Sequence, residues 1–168
     1  MNKPLDTEYA PFYKSYIDLI EEGDILKTLA RQADYCAIYF DTFADRGDHR
    51  YAEGKWTVKQ LIQHIIDTER VFAYRILRIS RGDETPLAGF DENTYADAAP
   101  VDHLSIADLT SEFMAVRSAT YTLLNSLVPD QWTMLGTASG TEVSVRAIAY
   151  IIAGHCAHHM AILEERYM

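Results

Sequence analysis

The run Gly154-His155-Cys156-Ala157-His158-His159 holds three of the chain's six histidines inside an apolar helical stretch, residues 145–163. His155 and His159 stand four residues apart, so they stack one turn apart on one helix face, close enough to grip a single ion. With His155 at zero on a wheel of about 100° per residue, Ile148, Ile151, Ile152 and Ile162 all fall within about 60° of it, and His159 lies among them. Two imidazoles therefore occupy positions that the pattern assigns to core side chains. Burial of an unpaired polar ring is costly. Either hydrogen bonds satisfy both rings as ordinary core histidines, or a metal ion takes their lone pairs. His158 lies about 60° from His155 on the other side and is the weaker mate, suited to the rim of a pocket or to a supporting role.

A third nitrogen is available from a second helix. His64 lies in Leu61-Ile62-Gln63-His64-Ile65-Ile66, about 90° from the centre of that helix's apolar stripe, where a hydrogen-bonded boundary histidine is the ordinary occupant. His49 and His103 fall in connecting segments and read as solvated. Three imidazoles from two facing helices would make a site with open coordination positions, the arrangement of a catalytic metal rather than a structural one. Imidazole suits zinc, nickel, copper and iron alike. Rings that bind metal need their other nitrogen oriented, and Asp67, Thr68 and Glu69 are candidates, although an exposed helix face is the usual place for such acids. Trp56, Tyr74, Tyr95 and Tyr150 are candidates to line a pocket, and Arg75 or Arg146 to hold a substrate carboxylate; plain packing and solvation are the alternatives. The chain contains no H-E-x-x-H base, no G-x-S-x-G nucleophile elbow, no P-loop and no dinucleotide-binding glycine pattern.

The elements that must position these side chains read as four amphipathic helices. The first spans residues 24–43, with Leu26, Leu29, Ala33, Cys36, Ala37, Phe40 and Phe43 at helical spacing, and Gly47 suits a left-handed turn after it. The aromatic segment before it, residues 9–20, is expected as a short turn or an extended arm. The second helix opens at the cap Thr57 with Gln60 three residues on, a capping-box pattern, and carries Val58, Leu61, Ile65, Phe72, Ile76 and Ile79. The third starts after Ser105, with Asp108 at its third position, and ends at Pro129. The fourth starts near Ser144. Residues 83–104 are too long for a tight turn and predict a crossover or a lid, with one helical turn near Glu92. Residues 131–142 predict a hairpin or an irregular loop. The fold class is all-α, a four-helix bundle with a long crossover between helices two and three.

Bulk properties narrow the partners. A chain of 168 residues with 48% hydrophobic and 24% charged side chains suggests one soluble domain over residues 1–168, large enough to bury its own core. A formal charge of −10 argues against nucleic acid and against anionic membranes. Cys36 and Cys156 form no framework and read as two buried or half-buried free thiols. The segment Met1-Asn2-Lys3-Pro4-Leu5-Asp6-Thr7-Glu8 has no apolar signal core, and no apolar run reaches the roughly 18 residues of a membrane helix. The expectation is a cytoplasmic protein acting on a small molecule.

Three stretches, in this order and at these separations, resemble the DinB-like (YfiT-like) superfamily of metal-dependent enzymes: Trp56-Thr57-Val58-Lys59-Gln60-Leu61-Ile62-Gln63-His64-Ile65-Ile66-Asp67-Thr68-Glu69; Arg81-Gly82-Asp83 with Pro86-Leu87-Ala88-Gly89-Phe90-Asp91; and Gly154-His155-Cys156-Ala157-His158-His159-Met160-Ala161-Ile162-Leu163. The resemblance covers helix two to the C-terminus and reaches helix one by pattern alone. It implies that His64, His155 and His159 form a three-histidine site for a divalent metal such as zinc or nickel, and that the protein is a homodimer. It also implies a thiol-dependent S-transferase using a low-molecular-weight thiol such as bacillithiol or mycothiol. The alternatives are a metal-dependent hydrolase, or a non-catalytic metal- or small-molecule-binding stress-response protein.

Overall fold

Each of the four long helices begins at a side-chain cap that its own sequence supplies, which offsets the orphan N–H groups of the first turn. The computed structural model describes residues 2–168; Met1, the first residue of the N-terminal segment analysed above, lies outside the described residues. In chain order the helices are α1 (Lys14–Asp18), α2 (Ile25–Asp41), α3 (Val58–Ser80), α4 (Glu92–Ala98), α5 (Ile106–Asn125) and α6 (Val145–Arg166), with a hairpin of β1 (Leu135–Ala138) and β2 (Thr141–Ser144) before the last. Asp24 caps α2, Thr57 and Gln60 form the reciprocal capping box of α3, Ser105 and Asp108 that of α5, and Ser144 caps α6.

The long helices form an all-α four-helix bundle in which α3 packs on α5 and α6, and α2 packs on the same two. Its apolar interior is two clusters rather than one. Leu29, Phe72, Ile76, Leu124, Ile148 and Ile152 belong to one; Phe40, Leu61, Ile65, Phe113, Met160 and Leu163 belong to the other. On every long helix the residues between the clusters are polar or small. They are Gln32 on α2, Thr68 and Glu69 on α3, Arg117 and Thr120 on α5, and Gly154 and His155 on α6.

Within this layer the Arg117 guanidinium donates from Nε to both Glu69 oxygens at 2.9 and 3.0 Å and from Nη2 to Oε2 at 2.8 Å. Its Nη1 donates to the Leu29 carbonyl at 3.1 Å and to Gln32 Oε1 at 3.3 Å. Both ion-pair partners are 2% exposed, so each charge depends on the other for the solvation it has lost. Gln32 in turn donates to the Ala153 carbonyl at 2.9 Å, tying α2 to α6 beside the histidine run.

Several expectations change in the folded chain. Residues 9–20 form no extended arm: they make one short 3₁₀ turn, Pro11–Tyr13, and then α1, which packs on α6. The crossover contains a full helix, α4, and its Leu87 is stitched to the hairpin, its N–H donating to the Thr137 carbonyl at 2.8 Å while its carbonyl accepts from Ser139 at 3.0 Å. Residues 131–142 complete a 3₁₀ turn and form the hairpin. Gly47 takes no left-handed turn. Its constraint is contact, since a Cβ there would lie 2.9 Å from Lys59 Cε. Cys36 and Cys156 are both buried and face each other across α2 and α6, with Sγ atoms 3.6 Å apart. No helix among the described residues is long and apolar enough to cross a membrane.

The buried pair sets a stability prediction. Arg117→Met strands the Glu69 carboxylate in the core and is expected to cost about 3–5 kcal/mol in urea unfolding, whereas the double variant Arg117→Met/Glu69→Leu recovers most of the loss. A double variant as unstable as the single one would show that the pair does not set the cost.

Candidate metal centre

Packing α3 against α6 closes the gap that the wheel left between His64 and the pair on the last helix. His64 Nε2 stands 2.9 Å from His155 Nε2 and 3.2 Å from His159 Nε2. Ligand nitrogens of the three rings lie within 4.8 Å of one another, and the group is buried throughout. The folded chain thus brings together the three histidines singled out from sequence. The approach of α1 completes the enclosure. A Cβ at Gly154 would lie 2.1 Å from the Tyr16 carbonyl oxygen, so the residue that opens the histidine run has to be glycine for α1 to lie this close. Tyr16 then sets its ring edge-on to His155 at 5.6 Å and to His158 at 5.3 Å.

The donor set fits a metal ion. Burial holds His64 down to about 4 and His159 down to about 2, and it drives His155 well below the ordinary imidazole range, with the neighbouring rings adding to the effect. All three rings are therefore neutral at pH 7, the form that ligates metal. A zinc–nitrogen bond of about 2.0–2.1 Å spaces two ligand nitrogens roughly 2.9–3.4 Å apart for bond angles of about 90–109°, which spans the two separations from His64, 2.9 and 3.2 Å. A histidine kept in a core for its hydrogen bonds uses both nitrogens. His159 does not: its Nδ1 is buried with no hydrogen-bond partner among the described residues. The Nε2 atoms of the rings face one another instead, where a single cation can take all three lone pairs.

The supporting residues differ from those expected. Thr68 Oγ1 does lie 3.5 Å from His64 Nδ1. Glu69 turns instead to Arg117, and Asp67 points outward, accepting from Gln63 at 3.0 Å and from Arg70. Their partners lie on other helices or one turn away, so spacing from His64 alone does not reveal them. His158 stays half-buried at the rim, its ring 5.0 Å from His159.

Two clefts reach the histidines, and Trp56 lines both. The first, about 200 Å³, is walled by Tyr13, Tyr16, Trp56, Phe72 and Phe90 and reaches all three rings, with Thr68, Glu92 and Ser139 as polar groups on its surface. Burial and the nearby Glu92 charge raise the Tyr16 phenol. The second, about 250 Å³, lies between Tyr51, Lys55, Trp56 and Tyr167 and reaches His159 alone. Helix α4 contributes to both, Glu92 to the first and Asn93 to the second. Of the aromatic candidates, only Trp56 lines a cleft. Tyr74 is exposed and hydrogen-bonds Arg78, Tyr95 leans on Phe90 from outside, and Tyr150 is buried in the core. Neither arginine is free for a carboxylate. Arg75 donates at 2.9 Å to both the Ala88 carbonyl and Ser139 Oγ, and Arg146 is paired with Glu8. Sequence reasoning missed Tyr13, Tyr16 and Glu92 because α1 and α4 are short segments whose periodicity is too brief to orient them.

Comparison with known proteins agrees with this architecture. The family model for the DinB superfamily matches residues 31–163, and the chain belongs to that superfamily. No curated protein matches it. Among solved structures it is similar to YfiT from Bacillus subtilis, described as a probable metal-dependent hydrolase with an unusual four-helix bundle topology. That match has a TM-score of 0.69 and 18% identity, and covers 97% of this chain and 90% of that one. At that identity the likeness speaks to the fold.

Two measurements test the centre. Protein purified without chelators is expected to carry about one equivalent of a divalent metal by elemental analysis. His64→Ala, His155→Ala and His159→Ala should each bind zinc at least 10–100-fold more weakly, the loss typical of even a supporting residue. A wild-type protein that takes up no zinc would sink the assignment. The metal-free protein also has a defined pH response. Each ring titrates lower when folded than when unfolded, so the unfolded chain takes up protons first, and stability falls as pH drops from about 6.5 towards about 4. The urea midpoint should therefore be lower at about pH 5 than at about pH 7, by less in His159→Leu than in the wild type; equal drops would rule out the histidines as the cause.

Proposed function

We propose that the protein is a divalent-metal-dependent enzyme acting on a small molecule, and that its reaction is a thiol-dependent S-transfer. The observation that carries the reading is the convergence of three buried, neutral imidazoles on one point at the base of an aromatic cleft. His64, His155 and His159 would hold the ion, with zinc or nickel suited to the ligand set. Bound there, a divalent ion lowers the pKa of a coordinated thiol or water and so supplies a nucleophile at neutral pH.

The chain's own residues do the rest. Trp56, Phe72 and Phe90 offer apolar walls for the body of an electrophile and exclude water from the reacting atoms. Tyr16, kept protonated, offers a hydrogen-bond donor on the same wall. Neither cysteine competes as nucleophile, because both are buried and neither lines a cleft that reaches the histidines. Two clefts meeting at His159 favour transfer between two organic substrates.

Hydrolysis is the second reading, favoured by Glu92. Its carboxylate lies on the first cleft and could take a proton from water, and YfiT bears the hydrolase description. A metal- or small-molecule-binding stress-response role is the non-catalytic version of the same site.

The assay is thiol consumption with bacillithiol, mycothiol or glutathione against a generic electrophile, run beside ester and amide hydrolysis. Zinc- or nickel-loaded protein is expected to consume thiol, and His155→Ala to lose at least about 100-fold in rate, equivalent to about 2.7 kcal/mol of transition-state stabilisation. Turnover of esters without thiol would shift the reading to hydrolysis. Retained activity in His155→Ala would remove the mechanism.

A further inference from the structure

The second cleft has a different chemistry from the first. The residues lining the first include one formally charged side chain, the Glu92 carboxylate. The second is lined by Lys55, whose ammonium makes no ion pair among the described residues. Two further cations contact residues that line it without lining it themselves. Arg50 donates to the Lys55 carbonyl at 2.7 Å and so braces the loop that presents the lysine. Arg166 stacks 5.5 Å from the Tyr51 ring and donates to its hydroxyl at 3.3 Å. Both arginines act on Tyr167, whose phenol burial and Tyr51 raise to about 12 and which Arg50 and Arg166 pull back. Three cations without a carboxylate partner among the described residues thus lie in or beside one cleft of a chain whose net charge is −10.

Trp56 lines both clefts and is held in place. Its carbonyl accepts from the Tyr167 hydroxyl at 2.7 Å, and its ring lies 4.8 Å from His64. A ligand in the second cleft therefore reaches His159 without contacting His64 or His155, which line the first cleft alone.

We propose that the cleft between Tyr51, Lys55, Trp56 and Tyr167 is a binding site for a carboxylate-bearing small molecule, the cosubstrate that reaches His159 through a cleft of its own. Lys55 recognises a carboxylate, Arg166 adds its charge from beside Tyr51, and Tyr51 and Tyr167 pack on the body of the ligand. Calling the ligand a cosubstrate rests on the transfer reading above; the anion site itself does not.

The probe is S-methylglutathione, which carries two carboxylates and no free thiol, titrated into the zinc-loaded protein and followed by amide and indole chemical shifts. Saturable binding is expected, with shifts at Tyr51, Lys55 and the Trp56 indole. Lys55→Gln should weaken it about fivefold, the scale of one exposed ion pair, and Lys55→Gln/Arg166→Gln further. Arg31→Gln, the same charge change on a residue lining neither cleft, should leave it unaltered, and the dimethyl ester of the probe should bind more weakly than the acid. No saturation by about 10 mM, or equal affinity in the Lys55→Gln and Arg31→Gln proteins, would overturn the proposal. If the probe binds through Lys55 but no thiol transfer occurs, only the transfer reading fails. If transfer occurs while Lys55→Gln leaves both the thiol KM and the probe affinity unchanged, only this site fails.

Discussion

A polar layer cuts the apolar interior of the bundle in two, and the rest of the structure is arranged to satisfy it. Gln32, Glu69, Arg117 and His155 lie between two clusters that are otherwise aliphatic and aromatic. Buried polar groups left unpaired cost several times what a good hydrogen bond contributes. The Glu69–Arg117 pair meets that demand inside the protein, with every donor of the fork but one shared between a carboxylate, a carbonyl and an amide. The three imidazoles instead turn their Nε2 atoms toward one another, with His64 2.9 and 3.2 Å from the other two. One half of the layer is closed by the chain; the other half is built to be completed by an ion.

The layer also explains how the cleft comes to sit above the histidines. Because Gly154 has no side chain, α1 can rest its Tyr16 carbonyl on α6 at the level of His155. That contact brings Tyr13 and Tyr16 over the site from one side, while the crossover brings Phe90 and Glu92 from the other. Arg75 joins the two, fixing the crossover and the hairpin through Ala88 and Ser139 while stacking near Phe72 and Phe90. An arginine that reads as a substrate ligand is in fact part of the frame that shapes the cleft.

A fold of this kind hosts more than one chemistry, and function is argued from the site. Here the site combines neutral imidazoles, an aromatic wall and two entrances of opposite charge character. The bundle is what the chain shares with YfiT at 18% identity.

The long helices and the metal-ligand candidates were legible in the sequence because each depends on local rules. Caps at Asp24, Thr57, Ser105 and Ser144 and a 3.6-residue stripe define the helices, and His155 and His159 share a face through spacing alone. His64 joins them only when α3 packs on α6. The pairing of Glu69 with Arg117, the outward turn of Asp67, and the walls supplied by α1 and α4 belong to tertiary structure for the same reason. They join residues far apart in the chain or on segments of a few residues, where periodicity carries no orientation. Spacing along one helix could set two imidazoles side by side; the packing of two helices, with a third laid across Gly154, decided that there would be three and that a cleft would open above them.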